Sequence, residues 1–313
     1  MLGDLAIAFP TQENHSPWGS WQNDRRKFWK SVAKRFEADI TKTGQLKIDE
    51  EELAVIKRLG NGVVWMEMVS KEHREIYHAM YTELKGKPSE YSTRIEKDVP
   101  RTFGVFTTDW NSKLRHRLGR QARYAALTRV LNAAATLTSA GYAQGMNFLA
   151  AALLLEVPEG DAFCLLAVLL NQRCLSTVFE KDSSGLVDYM NIFEDLLKEY
   201  VPRVWAHLRE EQFAPFMYAI EWFTTLFLVG GRPALALCAL DLVLAGVPDA
   251  PLRLGLALCK VLEAEVLGLG EEALQLRFKP LARRVAPQDA VPLALTAGFS
   301  QGVGAAAVPL ALT

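Results

Sequence analysis

Of the 313 residues, 50% are hydrophobic, enough for a large buried core in one extended domain or two close subdomains, and too many for a disordered chain. Lys and Arg number 35 against 36 Asp and Glu, for a net charge of -1, so there is no global positive field to hold nucleic acid. Cys164, Cys174, Cys238 and Cys259 stand singly in apolar surroundings, without a Cys-x-x-Cys pair, and read as core thiols in a reducing, cytoplasmic setting. The first residues lack the basic stretch and apolar run of a secretory signal.

In chain order, Phe28, Trp29, Val32, Phe36 and Ile40 recur at helical spacing among Arg25, Arg26, Lys27, Lys30, Lys34 and Arg35. Residues 18–40 therefore read as a basic amphipathic helix in an N-terminal extension, 1–44, which either packs its aromatic stripe on the core or makes a peripheral membrane contact. Helices follow over 48–59, opened by acidic residues, and over 72–85, closed by Gly86 and Pro88. The stretch to Asp109 reads as loop with one short turn, because Pro100 disfavours helix at Val99.

Further apolar stripes predict helices over 120–137, 146–155, 161–175, 186–200, 201–209 and 215–229, then 234–244, 252–267 and 271–279. The apolar stretch at 223–247 is interrupted by Arg232, Pro233 and Asp241, short of the roughly 20 residues that a spanning helix needs. Strand alternation is almost absent and no fixed repeat is visible, so the fold class is all-α and irregular.

Two short segments carry chemistry. In Ile95-Glu96-Lys97-Asp98-Val99-Pro100-Arg101-Thr102, Pro100 stiffens the backbone before Arg101, and Asp98 lies within reach of the guanidinium or of a turn at Thr102. In Tyr142-Ala143-Gln144-Gly145-Met146, glycines on both sides of the Tyr142 to Gln144 stretch put Gln144 near a helix N-terminus, where it either reaches outward or caps the helix. An arginine can neutralise charge on a transferring phosphoryl group, and a carboxamide can hold an attacking water in line.

These segments are similar to the two signature motifs of the TBC domain, the family of GTPase-activating proteins for Rab GTPases: Ile-x-x-Asp-x-x-Arg-Thr and Tyr-x-Gln-Gly-Met, both complete and in the family's order. Trp65, Trp222-Phe223-x-x-Leu226-Phe227 and Asp241-Leu242-x-Leu244 extend the resemblance over about 46–278. It implies a TBC-type domain over 45–313, made of two helical subdomains, about 45–180 with both motifs and about 181–313.

The resemblance further implies a two-finger mechanism in vesicle trafficking, with Arg101 neutralising charge on the γ-phosphate and Gln144 orienting the water of a GTP-loaded Rab. Asp98 and Thr102 would support the arginine, and Tyr142, Gly145 and Met146 the glutamine. Arg115, Arg117, Arg120, Trp222 and Phe223 are candidates for partner binding, the arginines within a basic stretch that includes Lys113 and Arg123. The alternatives are a non-catalytic Rab-binding module or a helical adaptor of the same fold.

Two departures stand out. Where the family usually reads Arg-Gly-x-Val-Trp, this chain has Asn61-Gly62-Val63-Val64-Trp65, and Thr138-Ser139-Ala140-Gly141 lacks the common Asn-Pro. No Gly-x-x-x-x-Gly-Lys-Ser/Thr loop is present, so GTP and Mg²⁺ would come with the partner, and no nucleotide hydrolysis by this chain alone is expected. His73 and His78 are five apart on different helix faces, which speaks against a zinc pair, and His116 and His207 read as structural. The expected location is cytoplasmic, with a peripheral place on endomembranes.

Overall fold

Every regular element among the described residues is helical. The computed structural model describes residues 19–43, 48–61, 64–105, 120–138, 141–173, 175–180 and 182–296. Helix α1 spans Gly19–Thr43 and packs along α2, Glu50–Gly60, with Trp29 and Phe36 buried, so the aromatic stripe faces protein. The start of α2 is fixed by Asp49, whose carboxylate accepts from the Glu51 amide at 2.8 Å. Trp65–Met68 forms a 3₁₀ turn, followed by α3, Lys71–Leu84.

Helix α4 covers Ser92–Val105, where the sequence suggests a loop. Pro100 withholds one backbone donor, normally a large cost in a helix interior. The burial of Ile95, Val99 and Phe103 at four-residue spacing opposes that cost, because a loop would leave this stripe without a continuous apolar face to pack. Tertiary packing overrides the local preference.

Helix α5, Arg120–Ala134, and α6, Met146–Glu156, pack against α4 and against each other. Helix α7, Glu159–Ala167, runs into a π-turn at Val168–Gln172, and α8 is the short Leu175–Val178. Helices α9, Ser184–Tyr200, and α10, Pro202–Glu210, follow.

The single helix expected over 215–229 is instead a 3₁₀ turn at Pro215–Met217 and a short α11 at Ile220–Thr225. Leu226 and Phe227 then take φ of 47° and 63°, so the chain turns there to sink both side chains into the core. The chain continues with α12, Pro233–Leu244, α13, Ala250–Val261, and the short α14, Glu263–Val266. Helices α15, Glu271–Ala282, and α16, Pro287–Ala294, complete the described order. Among the described residues no helix is long and apolar enough to cross a membrane.

Two buried polar clusters join distant parts of the chain. Arg253 on α13, only 2% exposed, pairs with Glu52 on α2 and donates its Nε to the Ala294 carbonyl at 2.8 Å. Asp241 on α12 is fully buried and accepts from Trp29 Nε1 at 2.8 Å and Trp65 Nε1 at 2.7 Å, while the Arg25 guanidinium lies at 2.9 Å. Arg25 also sits 5.3 Å from the centre of the Trp65 ring, a cation–π contact. Burial raises the Asp241 carboxyl above its ordinary range, against the opposing pull of Arg25, Trp65 and Trp29. Helix α1 is thus tied to α12 across 212 positions of sequence.

Among the described residues, His73, His78 and His207 have polar partners. His78 meets Asp161 at 2.9 Å, His73 lies 2.7 Å from the Ser70 hydroxyl, and His207 lies 2.8 Å from the Leu269 carbonyl. Cys164, Cys238 and Cys259 are buried thiols, and burial pushes Cys164 and Cys259 up to about 12.

Candidate functional site

On α4 the buried stripe of Ile95, Val99 and Phe103 covers one side, and a 100° step per residue places Arg101 roughly opposite it. Arg101 is exposed and makes no hydrogen bond or ion pair among the described residues. It is presented from a helix, not a turn, and Asp98 does not hold it. The Asp98 carboxylate instead accepts from Tyr142 Oη at 2.8 Å. Burial, followed by this bond to Asp98, pushes the Tyr142 phenol well above its ordinary range, which keeps it a proton donor. The Arg94 guanidinium stands 5.7 Å from the centre of the Tyr142 ring.

Gln144 is exposed and likewise makes no hydrogen bond among the described residues. It does not cap the helix: the capping position of α6 is Gly145, with no side-chain bond there. Gly145 has φ of +118°, and a Cβ there would lie 2.8 Å from the Thr224 carbonyl oxygen on α11 and 3.0 Å from the Phe179 ring. Glycine therefore meets two demands at once, the backbone conformation and the close approach of α11. Gly145→Ala is expected to destabilise the fold by about 1–3 kcal/mol, measurable by urea unfolding; an unchanged midpoint and slope would contradict this account of the turn.

The two segments are joined beneath the surface. Thr102, fully buried, donates its Oγ1 to the Asp98 carbonyl at 2.8 Å and accepts from Asn147 Nδ2 at 2.8 Å. Asn147 Oδ1 in turn accepts from the Gly145 amide at 2.9 Å. Tyr142 and Met146 are buried beside this chain of bonds. Arg101 and Gln144 thus project from elements that Asp98–Tyr142 and Thr102–Asn147 fasten together. Asn147 and Arg94 do not stand out in the sequence; the one signal for Asn147 is a polar residue at the second position of a helix that is apolar from there to Leu155.

The partner-binding candidates fare differently. Trp222 and Phe223 are 0% and 1% exposed and do not form a surface. Trp222 packs among Tyr218, Phe227 and Phe278, while Phe223 packs against Tyr189 and Phe193, because α11 is wedged into the core. Arg115 and Arg117 lie outside the described residues, as do Lys113 and His116, and Arg120 opens α5. Arg123 is half-buried, with its guanidinium 5.6 Å from the centre of the Phe103 ring. Among the described residues no three His, Cys, Asp or Glu side chains converge as a metal site would require.

An all-helical fold with an exposed arginine and an exposed glutamine on joined elements defines the class, and comparison with known proteins names it. Residues 58–267 match the RabGAP-TBC family, the Rab-GTPase-TBC domain, and the chain belongs to that family. The human ecotropic viral integration site 5 protein homolog is 27% identical over 252 residues, which are 80% of this chain and 30% of that protein. The GTPase-activating protein GYP5 of Eremothecium gossypii is 32% identical over 202 residues, 64% of this chain and 22% of that protein. The chain thus spans less than a third of the length of these relatives.

Two solved structures share the fold. The Chlamydomonas flagellar RabGAP TBC domain has a TM-score of 0.57 at 22% identity, covering 90% of this chain and 96% of that one. The Ypt/Rab-GAP domain of Gyp1p has a TM-score of 0.59 at 15% identity, covering 87% and 99%. Helix α1 begins well before the matched segment, yet it supplies Arg25 and Trp29 to the Asp241 cluster inside it.

Proposed function

We propose that this chain is a GTPase-activating domain for a Rab-family GTPase and works by two side chains supplied in trans. The observation that carries the reading is the pairing of Arg101 and Gln144: both exposed, both without hydrogen-bond or ion-pair partners among the described residues, on elements fastened by Asp98–Tyr142 and Thr102–Asn147. Arg101 supplies positive charge to the oxygens of the γ-phosphoryl group as the bond to the β-phosphate breaks. Gln144 accepts a hydrogen bond from the attacking water and donates one to the γ-phosphate, holding the water in line.

GTP and Mg²⁺ arrive with the partner, since this chain carries no phosphate-binding loop of its own. Asp98 keeps the glutamine segment in place through Tyr142 and makes no ion pair with Arg101. Family membership and the GTPase-activating relative support the same reading. The outer side of α1, with Arg26, Lys30, Lys34 and Arg35 exposed, suits a peripheral contact with an anionic endomembrane on its cytoplasmic side.

Single-turnover GTP hydrolysis by a panel of purified Rab GTPases, with and without this protein, tests the function. At least one member is expected to turn over faster. A panel that binds the protein but shows no acceleration would replace this reading with that of a binding module.

A further inference from the structure

The buried chain of hydrogen bonds beneath the two exposed side chains has a fixed direction. The single proton of the Thr102 hydroxyl goes to the Asp98 carbonyl, so towards Asn147 that oxygen can only accept. The Gly145 amide can only donate. The Asn147 carboxamide therefore has one workable orientation, NH₂ towards Thr102 and oxygen towards Gly145. A flipped amide would set donor against donor at one end and acceptor against acceptor at the other.

Asn147 is 2% exposed, so no water competes for either end. One continuous series of bonds then runs from the backbone of the Arg101 helix to the residue that follows Gln144. Asp98–Tyr142 is a second tie, but it grips the glutamine segment two residues before Gln144, whereas the Gly145 amide, directly after Gln144, is linked to α4 through Asn147.

We propose that Asn147 is a positioning residue for the GTPase-activating reaction. With Thr102 as its partner on α4, it sets where the Gln144 backbone stands relative to Arg101 without itself touching nucleotide. The proposal rests on the two-finger reading. A glutamine that must align a water tolerates little displacement, and misplacement by about 1 Å can cost ~100-fold in rate. Recognition of the partner uses a wider surface and does not depend on this alignment.

The test compares Thr102→Ser, which keeps the hydroxyl, with Thr102→Val and Asn147→Leu, which remove one side of the bridge at similar volume. Each is measured for kcat and KM on a Rab that the unaltered protein accelerates, for melting temperature, and for hydrogen exchange at the Gly145 amide. Thr102→Val and Asn147→Leu should lose roughly 10- to 100-fold in kcat with KM within about twofold, and their Gly145 amide should exchange faster. Thr102→Ser should stay near the unaltered protein in all of these.

A folded Thr102→Val or Asn147→Leu with unchanged kcat overturns the proposal, and so does a loss that appears in KM alone. If neither variant folds, unprotected Gly145 exchange in the unaltered protein overturns it, and so does a kcat loss in Thr102→Ser as large as the one predicted for Thr102→Val. Failure of the unaltered protein to accelerate any Rab instead removes the two-finger reading, a distinct outcome seen before any variant is made.

Discussion

Arg101→Ala should abolish nearly all acceleration of GTP hydrolysis, by about 10³ to 10⁵ in kcat, while leaving the fold intact. The structural half follows from placement: Arg101 is exposed, lies away from the buried stripe of α4, and makes no hydrogen bond or ion pair among the described residues, so its truncation removes no such bond there. Alanine also suits a helix interior better than most residues. The chemical half follows from charge. A guanidinium against the transferring phosphoryl group acts mainly when charge develops in the transition state, so the loss belongs in kcat.

Gln144→Ala should likewise leave stability unchanged and reduce kcat, since Gln144 is exposed and makes no hydrogen bond among the described residues. Single-turnover rates and thermal melts of both variants check the pair. A variant that melts like the unaltered protein and also hydrolyses as fast would remove that residue from the mechanism.

The largest effect on stability is expected at Asp241. Asp241→Ala leaves Arg25 without its counter-charge and strands the two indole N–H groups of Trp29 and Trp65 in the core. Removing one partner of a buried charge cluster costs about 3–5 kcal/mol, and urea unfolding monitored by tryptophan fluorescence reads it. A shift below about 1 kcal/mol would show that the cluster contributes little beyond packing.

Arg25→Met tests the same cluster from the other side, through pH. Burial already raises the folded carboxyl of Asp241 above its unfolded value of 3.8, and loss of Arg25 removes the foremost opposing pull. Folded protein then holds this proton more tightly than unfolded protein does, so stability falls as pH rises above the unfolded value. The penalty of Arg25→Met should therefore be larger at pH 7 than at pH 5. Equal penalties at both values would mean that Arg25 contributes through contact with Trp65 and not through charge.

This cluster also bears on the missing arginine before Trp65. Asn61 stands where the family commonly has arginine, and the guanidinium that meets Asp241 is delivered by α1. Nothing in the local sequence of α1 marks Arg25 as different from its five basic neighbours. Its role emerges only when the fold brings Trp29 and Trp65 to the Asp241 carboxylate, 212 and 176 positions further along the chain.

The same contrast between local pattern and tertiary contact runs through the rest of the molecule. Periodicity shows α1, α3, α5 and α9 well, because buried apolar residues recur at helical spacing along each. It fails at α4, where Pro100 is a strong local signal but the Ile95, Val99 and Phe103 stripe decides. It fails again at 215–229, because continuous hydrophobicity does not reveal the left-handed turn at Leu226 and Phe227. Trp222 and Phe223 show the limit for sites: large aromatics suit an interface or a core equally in sequence, and only the packing of α11 assigns them to the core. Arg101, Gln144, Asp98 and Tyr142 are legible because motif order carries them. Asn147 is not, since its partners lie two residues away on one side and 45 away on the other.

If this chain brings both the arginine and the glutamine, it should act even on a Rab stripped of its own water-orienting glutamine. Such a Rab, identified first as responsive in its unaltered form, is followed in single-turnover hydrolysis with the unaltered protein and with Gln144→Ala. The unaltered protein should still accelerate the altered Rab strongly, and Gln144→Ala should not. Loss of acceleration with the altered Rab, together with full activity of Gln144→Ala on the unaltered Rab, would contradict the two-finger reading.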